Sequence, residues 1–377
     1  MDTTKNNNQI KVKYILSNIN KALAFEWIAE ELDRSKIHLS FILLNPDDSA
    51  LEQHLKAHQI KVDRIRYKGK KDLPNAIYRI YTILRKEHTQ IVHCHMFDAC
   101  VAGLTAARLA GVRKRIYTRH HATFHQQYFP RAVWYDKFIS QMATDVVAIS
   151  ENVRQTLIGE GVNASKIRLI HHGFRLEGFE KTDQQKVLGL KRKYNPNSKS
   201  PVIGVISRYF ELKGIQYIIP ALKQILHTYP DALLILANTS GNYTAQIKSL
   251  LQEIPSDNYI EIPFEKDIFS LYQLFDIFVH VPIDPQIEAF GQTYVEALAA
   301  GIPSVFTKSG VATEFIKDGQ NAMVVPFKSS QAIADSFYSI LENPNQTQNI
   351  VWQGKTDVKK MFTLGKMVDS LEELYGK

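Results

Sequence analysis

Short apolar runs alternate with helical stretches along nearly the whole chain, and this alternation constrains the fold more than any single motif. Strand, helix and strand in succession bury their apolar faces together when the strands lie parallel and the helices cross over them. The first half reads as the strands KVKYIL, HLSFILL, KVDRIRY, QIVHCH, RKRIYTRH, DVVAIS and IRLIHHG. Helices such as ALAFEWIAEEL, SALEQHLKAH, NAIYRIYTILRKE and ACVAGLTAARLAG separate them. From Val202 a second series begins: VIGVIS, ALLILAN, IEIPF, DIFVHVP, PSVFT and AMVVP, again with helices between. PVIGVIS is apolar without a break, the mark of a buried parallel strand. The two series share an architecture and not a sequence repeat. Between them, EKTDQQKVLGLKRKYNPNSKSP is polar and contains turn formers, so it reads as an interdomain connection with a short helix. The last stretch, VKKMFTLGKMVDSLEELYGK, reads as helical.

At 377 residues the chain suits two α/β domains of ordinary size. Its 45% hydrophobic and 22% charged residues place it among globular rather than disordered chains. Cys94 and Cys100 are too few for a disulfide framework, and a reducing cytosol is expected. Residues 1–10, MDTTKNNNQI, hold no apolar signal core, so no secretory peptide is expected; the tail MDTTKNNN reads as frayed. No run approaches the length of a membrane span. The net charge of +8 is unevenly placed. Residues 1–180 carry 27 Lys and Arg against 18 Asp and Glu, and residues 181–377 carry 19 against 20. The excess includes Arg64–Lys71 (RIRYKGKK) and Arg113–Arg115 (RKR). Such a face suits an anionic membrane or a lipid diphosphate, and equally a plain solvated surface. No nucleic-acid module is recognisable, and no nucleic-acid partner is expected.

Chemistry concentrates in EAFGQTYVEALAAGIPSVF, where Glu288 and Glu296 bracket Gly291. Without a Cβ, Gly291 lets the backbone approach a ligand. TYVEALAAG reads as a helix with Val295, Leu298 and Ala299 turned inward, so Gly291 stands at an N-terminus that favours an anion. Both glutamates can face one cleft; the plainer alternative is a capping glutamate and an exposed helical one. Arg208 follows the strand PVIGVIS, and Lys213 follows in YFELKG before a helix. Ligands of open α/β sheets bind outside the carboxyl ends of the strands. Two cations there suit a diphosphate, Arg as a fork and Lys as a point charge. A solvated loop charge is the alternative for Lys213.

Together these segments resemble the C-terminal domain of the retaining GT-B glycosyltransferases of family four, the glycosyl transferases group 1. The matching positions are Glu288, Phe290, Gly291 and Glu296, with Arg208 and Lys213, and the likeness continues through ALAAGIPSVFTKSGVATEFIKDGQNAMVVP to Glu314. It is strong over about 200–330 and weaker before. The resemblance implies a GT-B fold, α/β, with two Rossmann-like domains facing across a cleft. It places an acceptor-binding domain at 1–180, a nucleotide-sugar-binding domain at 181–355, and a C-terminal helix at 356–377 crossing back to the first domain.

The resemblance also implies roles. Arg208 and Lys213 neutralise the donor diphosphate, Glu296 holds the ribose and Glu288 the sugar, while His95 at the end of QIVHCH positions that sugar. Asn238 stands in a glycine-rich turn, and Phe264 at the strand end that flanks the base. The family's glycine-rich loop after the first strand is replaced by SNINKALAFEW, with Ser17 and Asn18 in its place as acceptor or sugar contacts. His120 and His121 of TRHHATFH stand where the family has Thr-x-His-Gly, with the register between them open. HHGF, with Gly173, stands for the family's Asn-Gly-Val-Asp, and Ser150 is placed as a helix cap. The expected activity is retaining transfer of a sugar from a nucleoside-diphosphate sugar to a glycan, lipid-linked or other cell-envelope acceptor. No cofactor and no metal are expected, since no Asp-x-Asp is present.

Two other classes stand beside this. The altered glycine loop and HHGF turn fit a catalytically weakened sugar-nucleotide binding protein. His93, His95, His120, His121 and His125 fit a metal-dependent hydrolase, although no paired carboxylate or Cys has matching spacing. A cytoplasmic location is expected, at the inner membrane surface if the basic half makes a peripheral contact.

Overall fold

The computed structural model describes residues 9–377, except the side chain of Phe124. The polar tail 1–8 lies outside the described residues. The chain divides into two compact units, Met1–Phe174 with Leu364–Lys377, and Arg175–Thr363.

The first unit is built on seven parallel strands: β1 Ile10–Ser17, β2 Ile37–Asn45, β3 Val62–Arg66, β4 Ile91–Cys94, β5 Lys114–Arg119, β6 Asp145–Ala148 and β7 Ile167–Leu169. Their order is β3-β2-β1-β4-β5-β6-β7. The chain winds outward from β1 to β3 and then returns to the other side of β1, so the winding reverses between β1 and β4. The second unit repeats the plan with β8 Val202–Ile206, β9 Leu233–Ala237, β10 Tyr259–Ile262, β11 Ile277–His280, β12 Ser304–Phe306 and β13 Met323–Val324. Their order is β10-β9-β8-β11-β12-β13, with the reversal between β8 and β11. In sheets of this kind, the crevice at the carboxyl ends of the two switch strands is the natural ligand site.

The strands form where the sequence is continuously apolar: all five residues of β8 and all five of β9 are buried. Helices on both faces complete each core. In the second unit Ile218, Leu222 and Ile225 of the helix Ile215–Thr228 meet Ile203, Val205 and Phe337. In the first, Tyr14, Phe41 and Leu43 pack with Phe25 and Ile28 of the helix Leu23–Glu31.

The C-terminal helix Leu364–Gly376 belongs to the first unit. Leu364, Met367, Val368, Leu371, Leu374 and Tyr375 form one apolar stripe at helical spacing, all buried in that core. Tyr375 Oη lies 2.5 Å from Tyr14 Oη and 2.8 Å from His93 Nδ1, and His93 Nε2 lies 2.7 Å from Thr118 Oγ1.

The boundaries differ from those expected. The first crossing falls at 174/175 rather than 180/181, and the return at 363/364 rather than near 356. The polar stretch after 180 is not a bare connection. It holds an eleven-residue helix, Gln184–Tyr194, whose Val187 and Tyr194 are buried and which Asp183 caps by accepting from Gln185 N–H. Near the end, 358–377 is not one helix. Pro344–Met361 closes the second unit, and Phe362 is fixed between Phe290 and Phe315, with ring centroids at 5.6 and 5.0 Å. That anchor, and no glycine or proline, stops the helix.

Candidate functional site

In the second unit, three segments at the β8/β11 switch meet on one residue, Glu288. Lys213 lies in the loop after β8, and its Nζ is 2.5 Å from Glu288 Oε1. His280 ends β11, and its Nε2 is 3.1 Å from the same oxygen. From the loop after β12, Ser309 Oγ accepts the Glu288 backbone N–H at 3.0 Å. Gly310 then passes so close that a Cβ there would come within 2.7 Å of both Glu288 Cβ and Phe290 O, and its φ of +57° suits glycine. Desolvation opposes the charge of Glu288. The Lys213 ammonium and the His280 hydrogen bond outweigh it and hold the carboxyl well below the usual carboxylate range. Burial lowers the pKa of His280, opposed by Glu288, so its imidazole is held toward the neutral form.

Gly291, with φ +87°, is the N-cap of the helix Gln292–Ala300, as its place in the sequence requires. Val295, Leu298 and Ala299 face inward. Glu296 is the fifth residue of this helix, and its Oε2 accepts from Tyr272 Oη at 2.8 Å. Burial of the carboxyl pushes its pKa up to about 7, partly offset by the Tyr272 hydrogen bond. The ring of Phe290 is buried against Phe362, which leaves only its backbone for a ligand.

Arg208, Asn238 and Phe264 follow β8, β9 and β10, so all three stand at the carboxyl edge of the sheet. The exposed Arg208 guanidinium lies over the Phe210 ring, 4.5 Å from its centroid. Asn238 takes φ +66°, a left-handed conformation that Asn tolerates better than most residues and that replaces a glycine turn. Phe264 is 70% exposed, an isolated aromatic face at the strand end. Glu265 beside it accepts from Tyr194 Oη at 2.7 Å. Thr239 is half-buried beside Asn238.

In the first unit, Ser17 ends β1 and its Oγ accepts the Ala99 N–H at 3.2 Å, inside the helix Phe97–Leu109. Asn18 takes φ +53°, a left-handed conformation that Asn tolerates better than most residues. Both line a cavity of about 860 Å³ with Lys70, Asp98, His125 and Tyr135 among its walls. His95, His120 and His121 are not among the residues that line it.

The histidines separate into two groups. His95 is buried, stacks on His93 with centroids 4.3 Å apart, and places Nδ1 3.0 Å from His120 Nε2. His120 stacks in turn on His172. Burial holds His93 at about 3, His120 at about 4 and His172 at about 3, so all three are neutral at pH 7. His95 is lowered too, by burial and by its histidine neighbours. Its Nε2 is buried with no hydrogen-bond partner among the described residues. His121 turns away to a second group: its Nε2 lies 3.5 Å from Asp136 Oδ1, and His125 Nδ1 lies 2.7 Å from Asp136 Oδ2.

Four residues here escape a reading of the sequence. His280 ends a four-residue apolar strand, and its only signal is a polar side chain at the carboxyl end of a switch strand. Tyr272 and Ser309 sit in segments that read as packing. Asp136 lies eleven residues beyond His125 on another helix, Ala132–Met142, which is why no carboxylate appears at ligand spacing. Ser150 caps the helix Glu151–Gly159 by accepting from Val153 N–H, and Cys94 and Cys100 are buried free thiols.

Part of the basic excess is spent on structure. Lys13 pairs with Asp63 and Glu87, Arg64 with Asp48 and Glu52, and Arg115 donates to Met142 O and Val112 O. Lys68, Lys70 and Lys71 remain exposed. Among the described residues no helix is long and apolar enough to cross a membrane.

Comparison with known proteins gives a consistent picture. Residues 189–357 match the family model described as glycosyl transferases group 1, and residues 27–177 match that of glycosyltransferase family 4. The chain is 24% identical over 311 residues to the capsular polysaccharide biosynthesis glycosyltransferase CapM of Staphylococcus aureus, covering 80% of each chain. It is 24% identical over 320 residues to the UDP-Gal:alpha-D-GlcNAc-diphosphoundecaprenol alpha-1,3-galactosyltransferase of Escherichia coli, covering 81% of this chain and 79% of that one. Its fold matches that of Anabaena Alr3699/HepE, solved in complex with UDP and glucose, with a TM-score of 0.83, 20% identity and coverage of 98% and 100%.

Proposed function

The chain belongs to the glycosyl transferases of group 1, and from that premise we propose a retaining hexosyltransferase that moves a sugar from a nucleoside-diphosphate sugar to a glycan, lipid-linked or other cell-envelope acceptor. The observation that carries this reading is the convergence of Lys213 and His280 on one oxygen of Glu288 at the switch point of the second sheet.

Arg208 and Lys213 neutralise the donor diphosphate, aided by backbone N–H groups ahead of the helix Gln292–Ala300. Their hold strengthens as the leaving diphosphate gains negative charge. Glu288, kept ionised by its partners, accepts sugar hydroxyls and stabilises an oxocarbenium-like anomeric carbon. Glu296 takes the ribose hydroxyls through Oε1, because Tyr272 holds Oε2. Asn238 and Phe264 flank the base, with only the backbone of Phe290 and Gly291 facing the donor. His95 contributes its unpartnered Nε2 to the sugar, and Ser17, Asn18 and His120 form the acceptor side, while His121 turns away to Asp136. The acceptor hydroxyl attacks on the face from which the diphosphate departs. The anomeric C–O bond breaks with its electron pair going to the phosphate oxygen, which takes the acceptor proton, and configuration is retained. Arg208 and Lys213 carry the compensating charge, so the step requires no metal.

The names of the two relatives, one of capsular polysaccharide and one of a diphosphoundecaprenol-linked sugar, support an envelope acceptor. The exposed Lys68, Lys70 and Lys71 suit a peripheral contact with an anionic membrane from the cytoplasmic side.

The test is a thermal-shift screen of UDP- and GDP-sugars, followed by transfer assays and NMR of the product's anomeric configuration. One nucleotide sugar is expected to raise the melting temperature selectively, by linkage. Lys213→Ala is expected to abolish that shift. A Lys213→Ala variant that binds and transfers like wild type removes Lys213 from the site, and an inverted product overturns retention.

A further inference from the structure

The second histidine group carries chemistry that sugar transfer does not use. His121, His125 and Asp136 each offer a ligand atom, and these atoms all lie within 4.8 Å of one another. His121 Nε2 is 3.5 Å and His125 Nδ1 2.7 Å from the two oxygens of Asp136, whose side chain is 1% exposed. Around a tetrahedral zinc, nitrogen and oxygen ligands sit roughly 3.3 Å apart, since each bond is about 2.0–2.1 Å. Small side-chain adjustments meet that spacing.

The surroundings are short of donors. Asp136 Oδ1, Glu160 Oε2, Gln126 Oε1 and His121 Nδ1 are all buried with no hydrogen-bond partner among the described residues. Most buried acceptors in folded proteins are satisfied, and of these four atoms Asp136 Oδ1 is the one that faces a ligand nitrogen, His121 Nε2, where a metal would fill it. Arg119, itself 0% exposed, supplies one cation: its Nη2 is 2.8 Å from Glu160 Oε1 and its Nη1 3.4 Å from Asp136 Oδ1.

We propose that His121, His125 and Asp136 form a zinc site in the first unit, with a water as the fourth ligand. His121 binds through Nε2 and Asp136 through its carboxylate. His125 binds through Nδ1 and carries its proton on Nε2, so the metal replaces the proton now shared with Asp136. Arg119 holds the carboxylate from behind, as outer-shell partners of metal ligands do. Imidazole and carboxylate together favour zinc over magnesium or calcium, which take oxygen ligands. The metal ties the end of β5 to the helices Phe124–Tyr128 and Ala132–Met142. His125, Arg131, Ala132 and Tyr135 of this segment line the 860 Å³ cavity, so the site stiffens one of its walls.

The chain also holds an exposed group, Glu30, His54 and His58, and the test must separate the two. The full chain is stripped with a chelator and titrated with zinc alone, reading bound metal and melting temperature. The variant His54→Gln/His58→Gln is expected to keep one zinc per chain, in the presence of excess magnesium, with a raised melting temperature. His121→Gln leaves the Arg119 pairs intact and is expected to weaken that zinc at least about tenfold. Cobalt in the His54→Gln/His58→Gln background is expected to give the visible bands of a four-coordinate nitrogen and oxygen site, a readout that stands if His121→Gln does not fold. Zinc lost from the His54→Gln/His58→Gln variant, zinc held equally by His121→Gln, or a cobalt spectrum of the hydrated ion each overturns the proposal. None of these readouts involves a sugar donor, so failure of the transferase reading leaves the test intact.

Discussion

Lys213 Nζ and Glu288 Oε1 stand 2.5 Å apart although 75 residues separate them in the chain. The ammonium is thus already engaged. In the proposed transfer an incoming diphosphate competes with Glu288 for it and releases Glu288 toward the sugar, while His280 keeps its orientation. Glu288→Gln keeps the shape and removes the charge. Transfer is expected to fall by about 10²–10³, the usual effect of losing one preorganised charge-stabilising group. The donor's dissociation constant should change far less, because Arg208 and Lys213 remain. Steady-state kinetics beside donor titration checks this; an unchanged kcat removes Glu288 from the chemistry.

Glu296 gives a pH signature. Burial raises its carboxyl from an unfolded value near 4.3 to about 7. A raised acid contributes stability that is fully present below the unfolded pKa and is lost as pH rises through the folded one. Glu296→Gln has no such titration. Its stability relative to wild type is therefore expected to climb between about pH 4 and pH 7 and then level off, by at most roughly 4 kcal/mol. Urea unfolding at pH 4, 5.5, 7 and 8 measures it. A flat difference across that range means the carboxyl is not desolvated as described. Donor affinity of the wild type should also weaken below pH 7, as the ribose acceptor becomes protonated.

Much of this was readable without coordinates, and the reasons differ by residue. The two strand series follow from continuous apolar runs, and each reversal of winding then places the strand ends. Arg208 and Lys213 stood out because charge directly follows a buried strand. Glu288 stood out through its spacing from Gly291 and Glu296. His280 did not, since a histidine inside a short apolar strand looks like packing until Glu288 is seen opposite it. Asp136 did not, because helices from separate segments bring it to His121 and His125. The register between His120 and His121 was open in sequence, and in the fold the two side chains part: His120 meets His95, and His121 meets Asp136. The break at Phe362 has no local signal, being set by the rings of Phe290 and Phe315.

Gly310 tests how tightly Glu288 is held. A methyl group at this position meets Glu288 Cβ and Phe290 O at 2.7 Å, on a backbone with φ +57°. Gly310→Ala is expected to cost about 1–3 kcal/mol of stability. Transfer should drop by more than the folded fraction does, because the contact displaces Glu288 itself. Parallel thermal melts and kcat values separate the two effects. A variant as active per folded molecule as wild type shows that the loop after β12 does not position the carboxylate.

The hydroxyl of Tyr375 fastens the C-terminal helix to the first sheet. It lies between Tyr14 Oη at 2.5 Å and His93 Nδ1 at 2.8 Å, and all three side chains are buried. Removing one partner from a buried network leaves the others unsatisfied, which costs about 1–3 kcal/mol. Tyr375→Phe deletes only the hydroxyl and creates no cavity of consequence. The folded protein is expected to lose stability by that amount in urea while its slope with denaturant stays the same. His95 stacks on His93 but makes no hydrogen bond to this chain, and its own hydrogen bond goes to His120, so kcat per folded molecule should hold. His93 is neutral at pH 7 whether or not the hydroxyl is present, since burial sets its pKa. The loss is therefore expected to be independent of pH between 6 and 8. A pH-dependent loss assigns His93 a charge in the folded state and overturns the buried, neutral network described for it.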